Sequence, residues 1–289
     1  MLEHEYSIHY GAIMFESRLQ AFTELHTKIA TPNIATQVSA PLILVNIWDA
    51  ASAALVQHSG AKALATSSAS LAWSLGYPDG QVLPRRALLD AVSRIMRVSQ
   101  LPVSVDIESG YSDNPAEVVT LVTELVNLGV VGINLEDGDQ DPELLVAKIA
   151  AIRATASCRD LFINARTDVF LRELAVGQDA VEMTKLRLQS YQTAGANSGF
   201  IPGLACEKIV TELANEIDMP LNLMVDNSLR TVDKLAQCGI VRFSVGPASF
   251  LNAYSALLNP QNSENTASSE LDLLDYKRVN ELFTTHSLA

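Results

Sequence analysis

Eight short apolar runs recur along this chain, each followed by a stretch with helical spacing, and that alternation restricts the fold more than any other feature. The runs are Leu42–Trp48, Ala63–Ser67, Val103–Glu108, Val131–Asp137, Leu161–Thr167, Gly199–Pro202, Leu221–Val225 and Ile240–Val245. Near-continuous apolar character suits parallel strands covered on both faces. The clearest intervening helices are Pro84–Val98, Pro115–Leu128 and Asp179–Ala194, and two of them open on a proline, whose missing N–H costs nothing there. Gly129, Gly195 and Gly239 each stop a helix just before the next run. Eight strand–helix units without a break in composition predict one α/β domain, a (β/α)8 TIM barrel. A doubly wound open sheet needs fewer strands, and no G-x-G-x-x-G follows the first run.

The flanks are read separately. Residues 1–14 are expected to be a loose extension, and residues 15–258 the barrel with a helix ahead of its first strand. That helix runs from Phe15 to about Ala30, with Phe15, Leu19, Phe22 and Leu25 at helical spacing. Residues 259–289 read as a polar linker, Asn259–Thr266, and an amphipathic helix over Leu271–Phe283. A helix carried beyond the barrel on such a linker is expected to be exchanged between subunits of a homo-oligomer, a dimer or tetramer.

A formal net charge of −13, with no basic cluster longer than Arg85-Arg86, argues against nucleic acid or an anionic membrane as partner. No apolar run approaches the roughly 20 residues that span a bilayer. The first fourteen residues carry acids and histidines where a signal peptide would be apolar. Three scattered cysteines make neither a disulfide framework nor a C-x-x-C metal pattern, so a reduced, cytoplasmic location is expected.

Barrel chemistry gathers at the carboxyl ends of strands. Those ends offer Asn46, Trp48 and Asp49, then Thr66, Ser67 and Ser68 with Asp79 on the following loop, then Asp106 and Glu108. Asn134, Glu136 and Asp137 follow, then Asn164, Arg166 and Asp168. Asp106 and Glu108 lie two apart on one strand and are expected to share a face. Carboxylates aimed together repel unless a cation sits between them, and a hard divalent ion suits oxygen donors. None of the five histidines falls at a strand carboxyl end, and no lysine does, so zinc–imidazole and Schiff-base chemistry lack candidates. What is left is Mg2+ or Mn2+ acting as a Lewis acid on a substrate with oxo and carboxylate oxygens, stabilising an enolate.

The series Asn46-Ile47-Trp48-Asp49-Ala50, Thr66-Ser67-Ser68 with Gly76-Tyr77-Pro78-Asp79, Asp106-Ile107-Glu108-Ser109-Gly110-Tyr111, Leu135-Glu136-Asp137 and Ala165-Arg166-Thr167-Asp168 resembles the isocitrate lyase / phosphoenolpyruvate mutase superfamily. The resemblance spans roughly Pro41 to Phe250 and is nearest to the bacterial phosphoenolpyruvate phosphonomutase-like branch. It implies that Asp106 binds Mg2+ directly, and that Asp79, Glu108 and Glu136 hold it through water. It implies that Ser67, Ser68 and Ala69 grip the substrate carboxylate and that Arg166 clamps the other charged group and steadies developing charge. It also implies a tetramer with exchanged carboxyl-terminal helices.

The family's lyases carry K-K-C-G-H on a mobile loop after the fourth strand, and its mutases and hydrolases a lysine with asparagine or threonine. Here Gly138-Asp139-Gln140-Asp141 leads straight to Pro142. Metal and substrate binding are therefore expected to transfer, while the reaction stays open between three readings. The first is an Mg2+-dependent lyase or decarboxylase acting on a small 2-oxo or 2-hydroxy carboxylate. The second is P–C bond mutase or hydrolase chemistry on phosphoenolpyruvate or phosphonopyruvate. The third is a ligand-binding barrel that has lost turnover. Tyr111 is a candidate proton donor, with packing against the barrel rim as the alternative, and Asn134 a substrate contact. Trp48 is expected to form a pocket wall, Asp49 to cap the following helix, and Cys206 to be a small buried residue at a helix start.

Overall fold

The computed structural model describes residues 14–27, 40–226, 228–258 and 274–284. Its strands are β1 (Leu42–Leu44), β2 (Asn46–Ile47), β3 (Leu64–Thr66), β4 (Val103–Asp106), β5 (Gly132–Glu136), β6 (Phe162–Arg166), β7 (Ser198–Ile201), β8 (Leu221–Met224) and β9 (Arg242–Ser244). All pair in parallel, in the order β1-β9-β8-β7-β6-β5-β4-β3-β2. The ends of that order, β1 and β2, are two pieces of the first expected strand, interrupted at the exposed Val45. One piece pairs with β9 (Leu42↔Arg242) and the other with β3 (Asn46↔Ala65), so the sheet closes on itself as the expected barrel. Asn46 bridges the seam. Its amide donates to Thr66 O at 2.8 Å, and its carbonyl accepts from Val245 N and Gly246 N at 3.0 and 2.8 Å.

The helices are α1 (14–24), α2 (Ala50–His58), α3 (Ser68–Ser74), α4 (Arg85–Val98), α5 (Pro115–Asn127), α6 (Pro142–Ala154), α7 (Gly177–Ala194), α8 (Glu207–Glu216), α9 (Val232–Gln237), α10 (Ala248–Leu258) and α11 (Tyr276–Thr284). Asp49 caps α2 as expected, accepting from Ser52 N at 2.7 Å within a reciprocal capping box. Pro115 stands at the start of α5, and Gly195 ends α7 in the left-handed region. The expected extension 1–14 lies outside the described residues except for Met14, which opens α1. The linker Asn259–Thr266 and Leu271 also lie outside them. The expected carboxyl-terminal helix is present as α11, starting five residues later than Leu271, and it packs on α3 of its own chain.

Helix α1 covers the amino-terminal end of the barrel. Phe22 is fully buried in a cluster with Leu42, Leu44, Ala63, Val131 and Phe162, and its ring meets Phe162 edge-on at 5.1 Å. Burying one such ring contributes about 2–3 kcal/mol. Above it the barrel interior is polar. Asn164 donates to Asn134 at 2.8 Å, Ser198 to Asn164 at 2.8 Å, and the fully buried Arg242 to Asn134 at 3.2 Å. Pairing these groups with one another offsets part of the cost of burying them, although Arg242 Nε and Ser104 Oγ have no partner among the described residues, and it builds a floor beneath the mouth. Among the described residues no helix is long and apolar enough to cross a membrane.

Candidate active site

At the carboxyl end of the barrel a cavity of about 560 Å³ opens. Asp106 ends β4, but Glu108 does not share its strand face by alternation. Strand β4 stops at Asp106, and Glu108 turns back in the left-handed region (φ 51°). The turn is fixed on several sides. Glu108 N donates to Asp106 Oδ1 at 3.1 Å, Gly110 N to Ile107 O at 2.8 Å, and the buried Lys148 of α6 reaches Ser109 O at 2.8 Å. A Cβ on Gly110 (φ 98°) would stand 2.8 Å from Val118, so glycine is required where the turn packs on α5. The two acids therefore converge through a locked loop rather than through strand geometry.

Asp79 comes from the loop between α3 and α4. Its Oδ2 accepts from Tyr276 OH at 2.7 Å, and its Oδ1 is buried with no partner among the described residues. The same loop bonds the first one, Gln81 N donating to Glu108 Oε2 at 2.6 Å and Ser109 Oγ to Gln81 Oε1 at 2.7 Å. Glu136 ends β5 and pairs with Arg166 Nη1 at 2.7 Å. Arg166, at the end of β6, also grips Asp168 through Nε (2.6 Å) and Nη2 (2.9 Å) and lies over the Phe200 ring at 5.8 Å.

These acids are electrostatically crowded. Burial, and then the neighbouring Asp79 and Asp106, push Glu108 up to about 8. Burial also lifts Glu136 to about 8 against the pull of Arg166, with Asp106 adding to the rise. Burial raises Asp106 and Asp79 above the usual carboxylate range as well. The oxygen-only donors, their mutual repulsion and the unpartnered Asp79 Oδ1 fit a hard divalent cation. As placed, no three acidic, histidine or cysteine side chains among the described residues are close enough to enclose an ion directly.

The cavity brings together Asp79, Asp106, Glu108, Glu136, Arg166 and Asn134 with the Ser67–Ala69 segment. Ser67 caps α3, its Oγ accepting from Ser70 N at 3.3 Å, and Ser68 Oγ donates to Asp106 Oδ2 at 3.3 Å. The amides of Ser68 and Ala69 open the helix and so have no intrahelical acceptor. Trp48 and Tyr111 are outside the lining. The Trp48 ring packs edge-on against Phe250 at 5.2 Å, turned toward α10. Tyr111, at φ 58°, faces a separate cavity of about 270 Å³ on the far side of the turn, and its hydroxyl bonds Glu108. Asp137 is also turned away, receiving Arg187 at 2.8 Å and Tyr191 OH at 2.6 Å beneath the rim. Cys206 precedes α8 but is exposed, which corrects the expectation of burial.

Two lining residues with polar side chains were not anticipated. Arg172 binds Asp168 Oδ2 through Nε at 3.1 Å, while its Nη1 pairs with Asp139 at 3.7 Å and neither Nη makes a hydrogen bond among the described residues. Tyr276 arrives from α11. The spacing of Asp168 and Arg172, four apart, is the signal that would have found the first. No local signal announces the second.

A family model described as phosphoenolpyruvate phosphomutase matches residues 35–263. An uncharacterized Mycobacterium tuberculosis protein is 34% identical over 215 residues, covering 73% of this chain and 79% of its own length. The oxaloacetate decarboxylase of Pseudomonas putida is 30% identical over 219 residues, 68% of this chain and 73% of that one. The crystal structure of a candidate phosphonomutase from Burkholderia cenocepacia superposes with a TM-score of 0.77 at 35% identity, covering 85% of this chain and 99% of that one.

Proposed function

The chain belongs to the phosphoenolpyruvate phosphomutase family, within the phosphoenolpyruvate mutase and isocitrate lyase superfamily, and from that premise we propose that it is a divalent-metal-dependent carbon–carbon lyase of decarboxylase type acting on a small 2-oxo or 2-hydroxy carboxylate. The observation that carries this reading is the convergence of Asp79, Asp106, Glu108 and Glu136 on one cavity that also holds Arg166 and Arg172. Asp106 would hold Mg2+ or Mn2+ directly, with Asp79, Glu108 and Glu136 acting through its waters. When bound, that ion supplies Lewis acidity toward the substrate's 2-oxo and carboxylate oxygens.

The protein's own groups do the rest. The free amides of Ser68 and Ala69 receive the substrate carboxylate, and Asn134 offers its amide from the floor. Arg166 faces the 2-oxo oxygen, where negative charge collects as the C–C bond breaks and its electron pair moves toward the carbonyl. Three of its five N–H groups are held by Asp168 and Glu136, so it is fixed before substrate arrives. The Nη groups of Arg172 are placed to read a second acidic group at the mouth. Tyr111 supports Glu108 from behind, and the proton returned to carbon comes from solvent.

The turn Asp137–Asp141 between β5 and α6 leaves the mouth open. Decarboxylation tolerates water, because protonation of the carbanion simply completes it. A transferring phosphoryl group would be lost to that water, so mutase chemistry fits an open mouth less well. The similarity to a candidate phosphonomutase favours P–C bond chemistry as the second reading. Incubating the chain and Mg2+ with oxaloacetate, methylisocitrate-like acids and phosphonopyruvate tests both, with phosphorus NMR following P–C cleavage. No turnover above an Asp106→Ala control refutes the enzyme reading; tight binding of oxalate with Mg2+ and no turnover marks a binding barrel. The reading includes a homo-oligomer, a dimer or tetramer, which light scattering measures.

A further inference from the structure

Three of the four acids are placed by the barrel itself. Asp106 and Glu136 end strands, and Glu108 sits in a turn bonded to both neighbours. Asp79 belongs to no strand or strand-end turn. It lies in a loop that contains Gly76 (φ 84°), Gly80 (φ 110°) and Gln81 (φ 64°), conformations that a strand or helix does not impose, and that Gln81 ties to the Glu108 turn. The contacts of Asp79 N and Oδ2 come from about 200 residues later in the chain. Asn280 Oδ1 accepts from Asp79 N at 2.7 Å and from Trp73 Nε1 at 2.8 Å, and Tyr276 OH donates to Asp79 Oδ2 at 2.7 Å. One helical turn separates Tyr276 from Asn280, so both reach the loop from one face of α11. With Oδ2 engaged, the buried Oδ1 is the oxygen left without a partner.

Helix α11 does not stand alone. Nine residues are too few for a stable helix in water, where about 12–15 are marginal. It forms because Val279 buries itself among Ala69, Trp73 and Phe250, with Leu274 and Phe283 alongside. Its helical state therefore depends on its docking. Two events that share an intermediate group are thermodynamically coupled, and the coupling is reciprocal.

We propose that Tyr276 and Asn280 are positioning residues for the cation site, so that docking of α11 sets Asp79 and divalent-cation binding in turn holds α11 down. This rests on the metal reading above but goes beyond it, because it concerns a helix outside the barrel. The test uses the full chain and Mg2+ alone, with Mn2+ as a paramagnetic substitute. Titration calorimetry gives the cation affinity, and hydrogen exchange follows the α11 amides with and without Mg2+. The expected result is that Tyr276→Phe and Asn280→Leu each weaken cation binding about fivefold or more. Asn280→Asp keeps the acceptor for Trp73 and Asp79 and is expected to restore most of the loss. Mg2+ should slow exchange across α11 in the wild type and not in Asp79→Ala. Cation binding of unchanged affinity in both weakened variants, with no protection of α11, overturns the coupling while leaving the metal reading intact. No cation binding to the wild type overturns both.

Discussion

Glu108→Gln is the substitution whose outcome the electrostatics fixes most closely. Burial and the neighbouring Asp79 and Asp106 raise Glu108 from 4.5 to about 8. Because the folded-state value lies above the unfolded one, the stability contributed by the protonated carboxyl is complete below about pH 4.5. It is lost progressively as pH climbs through about 8. At 1.36 kcal/mol for each tenfold change in proton affinity, the whole loss is roughly 5 kcal/mol. Neighbouring carboxylates share the protons, so about 2–3 kcal/mol is the expected effect of this side chain alone. Glutamine keeps the acceptor for Gln81 N–H, now at 2.6 Å, and removes only the titration. In protein stripped with a chelator, the variant should match wild type near pH 5 and melt about 5–10 °C higher at pH 8, at roughly 2–4 °C per kcal/mol. Mg2+ should reverse that order at pH 8, since a ligand of the native state stabilises by mass action and the variant has lost one of four acids. Scanning calorimetry at pH 5, 6.5 and 8, with and without Mg2+, reads both effects. A variant less stable than wild type at pH 8 in chelator, or one raised equally by Mg2+, refutes the reasoning.

Three further outcomes follow from named contacts. Gly203→Ala sets a Cβ 2.9 Å from the backbone N and Cα of Leu171 at φ 83°, and urea unfolding should show about 2–4 kcal/mol lost. Phe22→Ala opens a cavity at the covered end of the barrel and should cost about 3–5 kcal/mol in the same assay. Arg172→Ala should raise KM for a diacid substrate about tenfold and leave that for a monoacid within twofold, one charged contact being worth roughly 1.5–3 kcal/mol; equal effects on both would remove Arg172 from substrate recognition.

Much of the site was legible because a barrel translates strand order into angular position. Knowing which residues end each run was enough to bring Asp106, Glu136, Asn134 and Arg166 to one mouth. Side-chain direction was less legible. Trp48 and Asp137 also follow strands, yet each turns away, toward α10 and Arg187 respectively, while Tyr111 lies behind the lining with its hydroxyl on Glu108. Glu108 reached the cavity through a left-handed turn that alternation could not foresee. Arg242 sits in an apolar run and is wholly buried beneath the mouth, a charge that no periodicity argument explains. Tyr276 is the least predictable, because its place depends on where a distant short helix settles.

The divided first strand has a consequence for how the molecule comes together. Strands β2 to β9 can add one after another, each beside its predecessor in sequence, but β1 must wait for β9. Until Leu42 meets Arg242 the growing sheet carries two bare edges, open to the wrong partner as well as the right one. Ring closure is thus the strand pairing with the greatest separation in sequence, and Asn46 is the clasp that fastens it.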